Sequence, residues 1–252
     1  MPWNPDKYHQ FQSQRSAPFD DLLELVDVRP NLQVVDLGCG TGKLTRRLAD
    51  SLPDSKVLGI DSSPQMLERT EEYARPGLRF ELGNQAALEG KWDLVISNAA
   101  LHWSDNHEKL IPRLFHCLNS GGQLAVQVPS NHNSDAYRTI NRVAVREPYL
   151  SQLNGWKRQA PVLPIEAYAE LLFREEAEDI IVFEKVYPHV LENTDAIVDW
   201  ISGTVLLPYF ERLGDLKEAF IEAIRGELKV IMPGEPVFYP FKRTFLSARR
   251  VD

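Results

Sequence analysis

The sequence predicts an α/β chain built on a mostly parallel sheet with helices on both faces, with a helical cap added in its second half. Three observations carry this. Short apolar runs alternate with helical patterns through the first half. One of those runs ends in a glycine-rich turn that opens a helix. Two long alternating stretches then come late, at 178–190 and 237–248.

Taken in order, Gln33-Val34-Val35-Asp36-Leu37 reads as a buried strand, and Leu44 and Leu48, four apart, mark the helix after it. Lys56-Val57-Leu58-Gly59-Ile60 is the next strand. Ser62-Ser63-Pro64 follows, a serine cap and an early proline that open another helix. Leu78-Arg79-Phe80-Glu81-Leu82 alternates like a strand, and 92–97 is a largely apolar run that leads into a helix over 106–118. Asn119-Ser120-Gly121-Gly122 reads as a turn into a strand over 123–128. Past 132 the β-branched runs thin out and helical pairings take over, such as Tyr168 with Leu171 and Leu172. Between the two late strands the pattern gives helices over 195–206 and 216–230. The expected organisation is a segment 1–30 covering the site, a core over 31–131, a helical cap over 132–177 and 191–236, and late strands 178–190 and 237–252 rejoining the core sheet.

Composition narrows the class. The 252 residues are enough to bury roughly 70–75% of the unfolded chain's surface. A net charge of −8 argues against duplex nucleic acid, whose phosphates need a basic footprint. Two cysteines, Cys39 and Cys117, are too few for a disulfide framework and fit a reducing cytoplasm, with Cys39 read as a packing residue. No apolar run approaches the roughly 18 residues of a membrane span, and residues 1–21 lack a signal-peptide core. The six histidines are scattered, so no metal site is expected.

The chemistry concentrates in Asp36-Leu37-Gly38-Cys39-Gly40-Thr41-Gly42, where the chain passes from strand to helix. A dinucleotide fingerprint needs a third glycine at 43, which is lysine, and no Walker lysine stands at its required place. Asp36 sharpens the choice, because a pyrophosphate brought to this turn meets an anion in a partly desolvated cleft. A second acid, Asp61, ends the next strand, where a carboxylate can accept both hydroxyl hydrogens of a ribose. Two strand-end acids select a phosphate-free cation bearing a ribose, and S-adenosylmethionine has that chemistry.

On these residues the chain resembles the class I S-adenosylmethionine-dependent methyltransferases, over about 34–128 and again in the two late strands. The resemblance implies a Rossmann-like, seven-stranded, mostly parallel sheet whose last strand is antiparallel. It places Asp36, Gly38, Gly40 and Gly42 along the methionine end of the donor, Asp61 on the ribose, and Ser62 and Met66 along the adenosine. Asn84 and Gln85 would stand at the adenine, with Asn84 where an aspartate is commoner. Asn98 and Ala99 would reach the methionine carboxylate and ammonium. A narrower likeness covers nearly the whole chain: Trp3-Asn4-Pro5, then Tyr8, Phe11 and Arg15, then 60–64, Asn98 to Trp103, Gln127-Val128-Pro129 and Phe245 to Arg250. It points to members of that class that esterify small polycarboxylates such as trans-aconitate. Tyr8, Arg15 and Trp103 would then help hold the donor.

The same likeness orders the acceptor side. Arg243, Lys242 and Arg15 are the candidate cations for a polycarboxylate, His102 a candidate hydrogen-bond donor standing where a glutamine is expected, and Gln127, Trp156 and Trp200 candidate lining residues. A carboxylate acceptor is already ionised near neutral pH, so no general base is expected, and catalysis would rest on positioning. Arg15 could equally grip the donor's carboxylate. The expected partner is a small carboxylic acid and not nucleic acid or membrane, for a monomer or weak homodimer. Other readings stay open: another small acid or a hydroxyl as acceptor, or a non-catalytic S-adenosylmethionine-binding regulator. A nicotinamide dehydrogenase is disfavoured by Lys43 and Asp36.

Overall fold

The computed structural model describes residues 12–251, of which 12–16 are described as backbone only. Helix α1 (Gln12–Glu24) comes first. Then follow β1 (Gln33–Leu37), α2 (Lys43–Ser51), β2 (Lys56–Asp61), the single turn α3 (Pro64–Leu67), β3 (Leu78–Leu82), β4 (Trp92–Asn98), α4 (His107–His116) and β5 (Leu118–Pro129). The second half adds α5 (Asp135–Ala144), α6 (Tyr149–Gln152), α7 (Ile165–Arg174), β6 (Glu178–Leu191), α8 (Thr194–Ser202), α9 (Leu207–Leu213), α10 (Lys217–Ile231) and β7 (Val237–Arg249).

The seven strands form one sheet in the order β3-β2-β1-β4-β5-β7-β6. β1 pairs in parallel with β2 and β4, β2 with β3, and β4 with β5, whereas β5 and β7 are antiparallel. This is the sheet the sequence led us to expect. Its strand order reverses between β1 and β4, so the loops leaving their carboxyl ends diverge and leave a crevice there, the usual ligand site of open α/β sheets. β1 is covered on both faces: Val34, Val35 and Leu37 are wholly buried, which is why its sequence runs apolar instead of alternating.

One expected turn is absent. Asn119 to Gly122 lies inside β5, whose pairing with β4 shifts register between Trp92 and Leu94. Gly121 takes a left-handed φ of 68°, and its N–H donates to the Arg250 carbonyl, while the Gly122 carbonyl accepts from the Arg250 N–H. The glycines therefore bulge the strand and leave it paired, a second use of the residues that make turns. The helix expected after Ser62-Ser63-Pro64 is also only one turn long, although Ser63 caps it as read, accepting from the Met66 N–H at 3.3 Å.

The chain divides into two compact units. The sheet unit comprises Ser16–Pro129, Pro161–Lys185 and Arg243–Asp252, and the helical unit includes Ser130–Ala160 and Val186–Lys242. Helix α7, placed by the sequence reading in the cap, belongs to the sheet unit. Its Tyr168 and Leu172 are wholly buried in the cluster that also holds Ile111 and Leu114 of α4. The late strands are likewise shared between the units, which divide β6 after Lys185 and β7 after Lys242. The helical unit has its own core. Ala136, Ile140 and Val143 of α5 and Phe220, Ile224 and Leu228 of α10 each repeat at helical spacing and are at most 1% exposed, so each helix buries one stripe.

Candidate active site

The site is built at the carboxyl ends of β1, β2, β4 and β5. After β1 the chain turns tightly, with Gly38 and Cys39 donating their N–H groups to the Ile60 carbonyl at 2.7 and 3.0 Å. The glycines divide the work. A Cβ on Gly38 would stand 2.1 Å from the Ala100 Cβ, so this glycine lets the loop after β4 close against the loop after β1. A Cβ on Gly42 would meet the Phe80 ring at 2.8 Å, which is packing. Gly40, at φ +57°, faces nothing within 4 Å among the described residues, and it is here that they leave open space at the backbone.

Two carboxylates stand at the ends of β1 and β2, and one of them touches Gly40. Asp61 accepts from the Gly40 N–H through Oδ2 at 2.8 Å and from the Ser63 N–H through Oδ1 at 2.9 Å. Each oxygen keeps a lone pair, so the carboxylate is fixed in place and still able to accept two more hydrogens. Asp36 is only 5% exposed, and its Oδ2 accepts from the Thr45 hydroxyl at 2.7 Å. Burial pushes its pKa up to about 6; the Thr45 hydrogen bond opposes the shift and the Asp61 charge adds to it. A buried carboxyl in this state is stabilised as an anion by a cation placed beside it.

The loop after β4 supplies the facing wall. Ala99 sits at φ +52°, a left-handed backbone for a residue with a Cβ, with its N–H donating to the Gln127 carbonyl at 2.9 Å. Asn98 stands before it, and its Oδ1 is buried with no hydrogen-bond partner among the described residues. Gln85 Nε2 ties the loop down by donating to the Ala100 carbonyl at 3.2 Å and to Ser104 Oγ at 2.8 Å. Next to Asn98 in register, Gln127 is wholly buried, and its Oε1 accepts from Arg243 Nη1 at 3.3 Å. A buried amide donor or acceptor left without a partner costs roughly 1–3 kcal/mol, so such atoms are expected where a ligand completes them.

A methyltransferase-domain model matches residues 34–122, which holds both strand-end acids and the loop after β4. Trans-aconitate 2-methyltransferase of Deinococcus radiodurans is 45% identical, with all of this chain and all of that protein covered. The enzyme of the same name from Variovorax paradoxus is 37% identical over 88% of this chain and 86% of its own length. A solved structure of Haemonchus contortus phosphoethanolamine N-methyltransferase 2 in complex with S-adenosyl-L-methionine has a similar fold. Its TM-score is 0.54 at 16% identity, covering 95% of this chain and 53% of that one. The chain belongs to the trans-aconitate 2-methyltransferase family. It is thereby an S-adenosylmethionine-dependent methyltransferase.

The residues of this family member fit the donor on three structural counts. Gly40 leaves room at the backbone, Asp61 has lone pairs for a ribose diol, and Asp36 is a buried anion suited to a sulfonium or ammonium. Of the other residues read from the sequence, Ser62 is exposed and Met66 half-buried beside the Ser63 cap. Asn84 is exposed and spends its Oδ1 on the Ala86 N–H at 2.8 Å, and Gln85 is committed to the loop, so both amides serve the backbone first. His102 is half-buried with its ring 5.0 Å from that of Trp103, which is 48% exposed.

Arg243 and Gln127 meet in the sheet unit, whereas Lys242 and Trp200 belong to the helical unit. Side chains alternate along a strand, and Lys242 is exposed where Arg243 is 5% exposed. Trp200 packs among His189, Tyr239 and Phe241 with ring centroids at 5.2, 6.4 and 5.3 Å, and Trp156 stands edge-on to Tyr209 at 5.0 Å. Tyr8 lies outside the described residues, and Arg15 is described only as backbone of α1. The sequence reading missed Thr45, which anchors Asp36, and the buried pair of His107 and Tyr168. Thr45 carried a faint signal as a hydroxyl in the first turn after the glycine loop; the pair, 61 residues apart, carried none.

The Asp36 environment predicts a pH dependence. With a folded-state pKa raised above its ordinary value, Asp36 contributes stability to the free protein that is present below about pH 4 and lost as pH rises through about 6. A cation bound beside it reverses the preference. Affinity for S-adenosylmethionine is therefore expected to fall by up to about tenfold between pH 7 and pH 5. Asp36→Asn should flatten that profile, and S-adenosylhomocysteine, which lacks the sulfonium charge, should show less of it. Calorimetric titration across the pH series checks this. Equal profiles for wild type and Asp36→Asn would remove Asp36 from the cation's surroundings.

Proposed function

We propose that the chain transfers the methyl group of S-adenosylmethionine to a carboxylate oxygen of trans-aconitate, forming a methyl ester. The observation that carries this reading is the 45% identity across the full length of the Deinococcus radiodurans trans-aconitate 2-methyltransferase, helical unit included. Asp61 would hold the ribose, Asp36 and Asn98 the cationic methionine end, and Arg243 with Gln127 a carboxylate of the acceptor. Lys242, Trp200 and His102 enter the reading as further acceptor-side residues, and Tyr8, Arg15 and Trp103 as cover for the donor. When bound, the donor supplies a methyl group made electrophilic by its sulfonium. The protein's part is to line up the acceptor oxygen behind that methyl group and to keep water from the carboxylate. Effective concentration from such alignment needs no proton transfer, because the acceptor is already anionic.

The net charge of −8 and two free cysteines support a reducing cytoplasm and a small-molecule acceptor, with no role on nucleic acid or membrane, for a monomer or weak homodimer. Among the described residues no helix is long and apolar enough to cross a membrane. Incubating the purified protein with S-adenosylmethionine and a panel of mono-, di- and tricarboxylates, with mass detection of methyl esters, tests the reading. A monomethyl ester from trans-aconitate, formed faster than any from the monocarboxylates, is the expected result. Ester formation confined to monocarboxylates, or methylation of hydroxyl compounds alone, would overturn it.

A further inference from the structure

We propose that Gln127 is a specificity-determining residue. Its amide oxygen meets the Arg243 guanidinium, its amide N–H faces the other way as an extra neutral donor, and the two residues together bind a carboxylate of the acceptor that does not react. This rests on the reading above that the acceptor is a small polycarboxylate.

Gln127 lies on β5 between Val126 and Val128, and all three are wholly buried. An amide in such a place is unexpected unless both of its ends are used. One end is fixed by its neighbour. A guanidinium can only donate, so the oxygen of Gln127 must face Arg243 Nη1, as it does at 3.3 Å. The amide nitrogen is thereby turned away from Arg243, and it is buried with no partner among the described residues. The donor that points out of this pair is the feature that asks for an acceptor atom.

The strand ends sort the charges. The anions Asp36 and Asp61 close β1 and β2, the acceptor atom Asn98 Oδ1 closes β4, and the donors Gln127 and Arg243 stand on β5 and β7. A cationic methyl donor belongs at the first end of this row and an anionic acceptor at the other. Glutamine also sets no charge of its own against the guanidinium. Glutamate of the same length would put a carboxylate against Arg243 and occupy the place of the substrate's own, whereas an apolar residue would withdraw both hydrogen bonds. A polycarboxylate retains a charged carboxylate to fill this place while another reacts; a monocarboxylate does not. On this argument Gln127 and Arg243 discriminate by charge number.

The test is equilibrium binding of trans-aconitate to the protein loaded with S-adenosylhomocysteine, for wild type, Gln127→Glu and Gln127→Met, alongside binding of S-adenosylhomocysteine itself. Gln127→Glu is expected to weaken trans-aconitate binding roughly 10- to 100-fold while changing S-adenosylhomocysteine affinity less than about threefold. Gln127→Met should weaken it in the same direction, and it keeps the test decisive if the glutamate variant fails to fold. In turnover, the preference for tricarboxylate over monocarboxylate should narrow by the same factor. Unchanged trans-aconitate affinity in both variants, or an equal loss of S-adenosylhomocysteine affinity, would overturn the proposal. Wild type that binds trans-aconitate without esterifying it would sink the functional reading, and the variants would still decide the role of Gln127. Wild type that does not bind trans-aconitate at all would refute both.

Discussion

Asp61→Ala is expected to lower affinity for S-adenosylmethionine by roughly 1.5–3 kcal/mol, about 10- to 150-fold, the range for a charge-assisted hydrogen bond. The geometry gives the loss two sources. On the proposed reading the carboxylate would no longer accept the ribose hydroxyls, and the Gly40 and Ser63 N–H groups would lose the acceptor that shapes the glycine loop around them. Asp61→Asn separates these, since its one amide oxygen can serve one of the two backbone donors but offers no anion. Its affinity should therefore fall between wild type and alanine. Calorimetry with the donor, and thermal melting of the free protein, read the two sources apart. A melting temperature that falls in Asp61→Ala while affinity stays at the wild-type value would leave Asp61 with the loop alone.

Replacing His107 should cost more stability than any site variant above. His107 is 1% exposed, and its Nε2 faces the Leu101 carbonyl at 2.9 Å. A carbonyl only accepts, so Nε2 carries the proton and Nδ1 accepts from the Tyr168 hydroxyl. That hydroxyl in turn accepts from the Leu163 N–H at 3.2 Å. The chain of bonds joins α7 to the turn that carries His102 and Trp103. His107→Ala leaves the carbonyl and the hydroxyl unpaired and opens a cavity, an expected loss of about 3–5 kcal/mol. Tyr168→Phe should lose about 1–2 kcal/mol. Urea unfolding of the two variants and their double mutant measures the coupling; additive losses would break the relay. Burial also holds the His107 pKa below its ordinary value. Its stabilising contribution is thus present above about pH 6.5 and lost as pH falls through the folded-state pKa, which acid titration of wild-type stability would register.

Periodicity and turn chemistry made most of the fold legible. The strands 33–37 and 78–82 stand where alternation and apolar runs put them, because their residues meet a sheet whatever else the chain does. Gly121 and Gly122 misled because a left-handed glycine serves a bulge as well as a turn, and the choice is made by the strands on either side. That α7 belongs to the sheet unit is hidden in the sequence for a similar reason. Its apolar stripe shows that it packs, and nothing local shows that the partner of Tyr168 is His107. Near the glycine loop, Asp36 and Asp61 stand at the ends of β1 and β2 where the apolar runs placed them. The pairing of Gln127 with Arg243 spans 116 residues and is set by the register of β5 against β7, which no local pattern encodes.

The place of β7 in the strand order bears on how the chain is made. The last strand in sequence is an interior one, between β5 and β6. Until residues near 249 leave the ribosome, β5 has no partner along one side, and the apolar residues Leu124, Val126 and Val128 lie on a strand with an open edge. A nascent chain that stalls before β7 emerges is thus a candidate for chaperone capture or intermolecular strand pairing, and a stop codon within 237–249 removes the closing piece of the sheet.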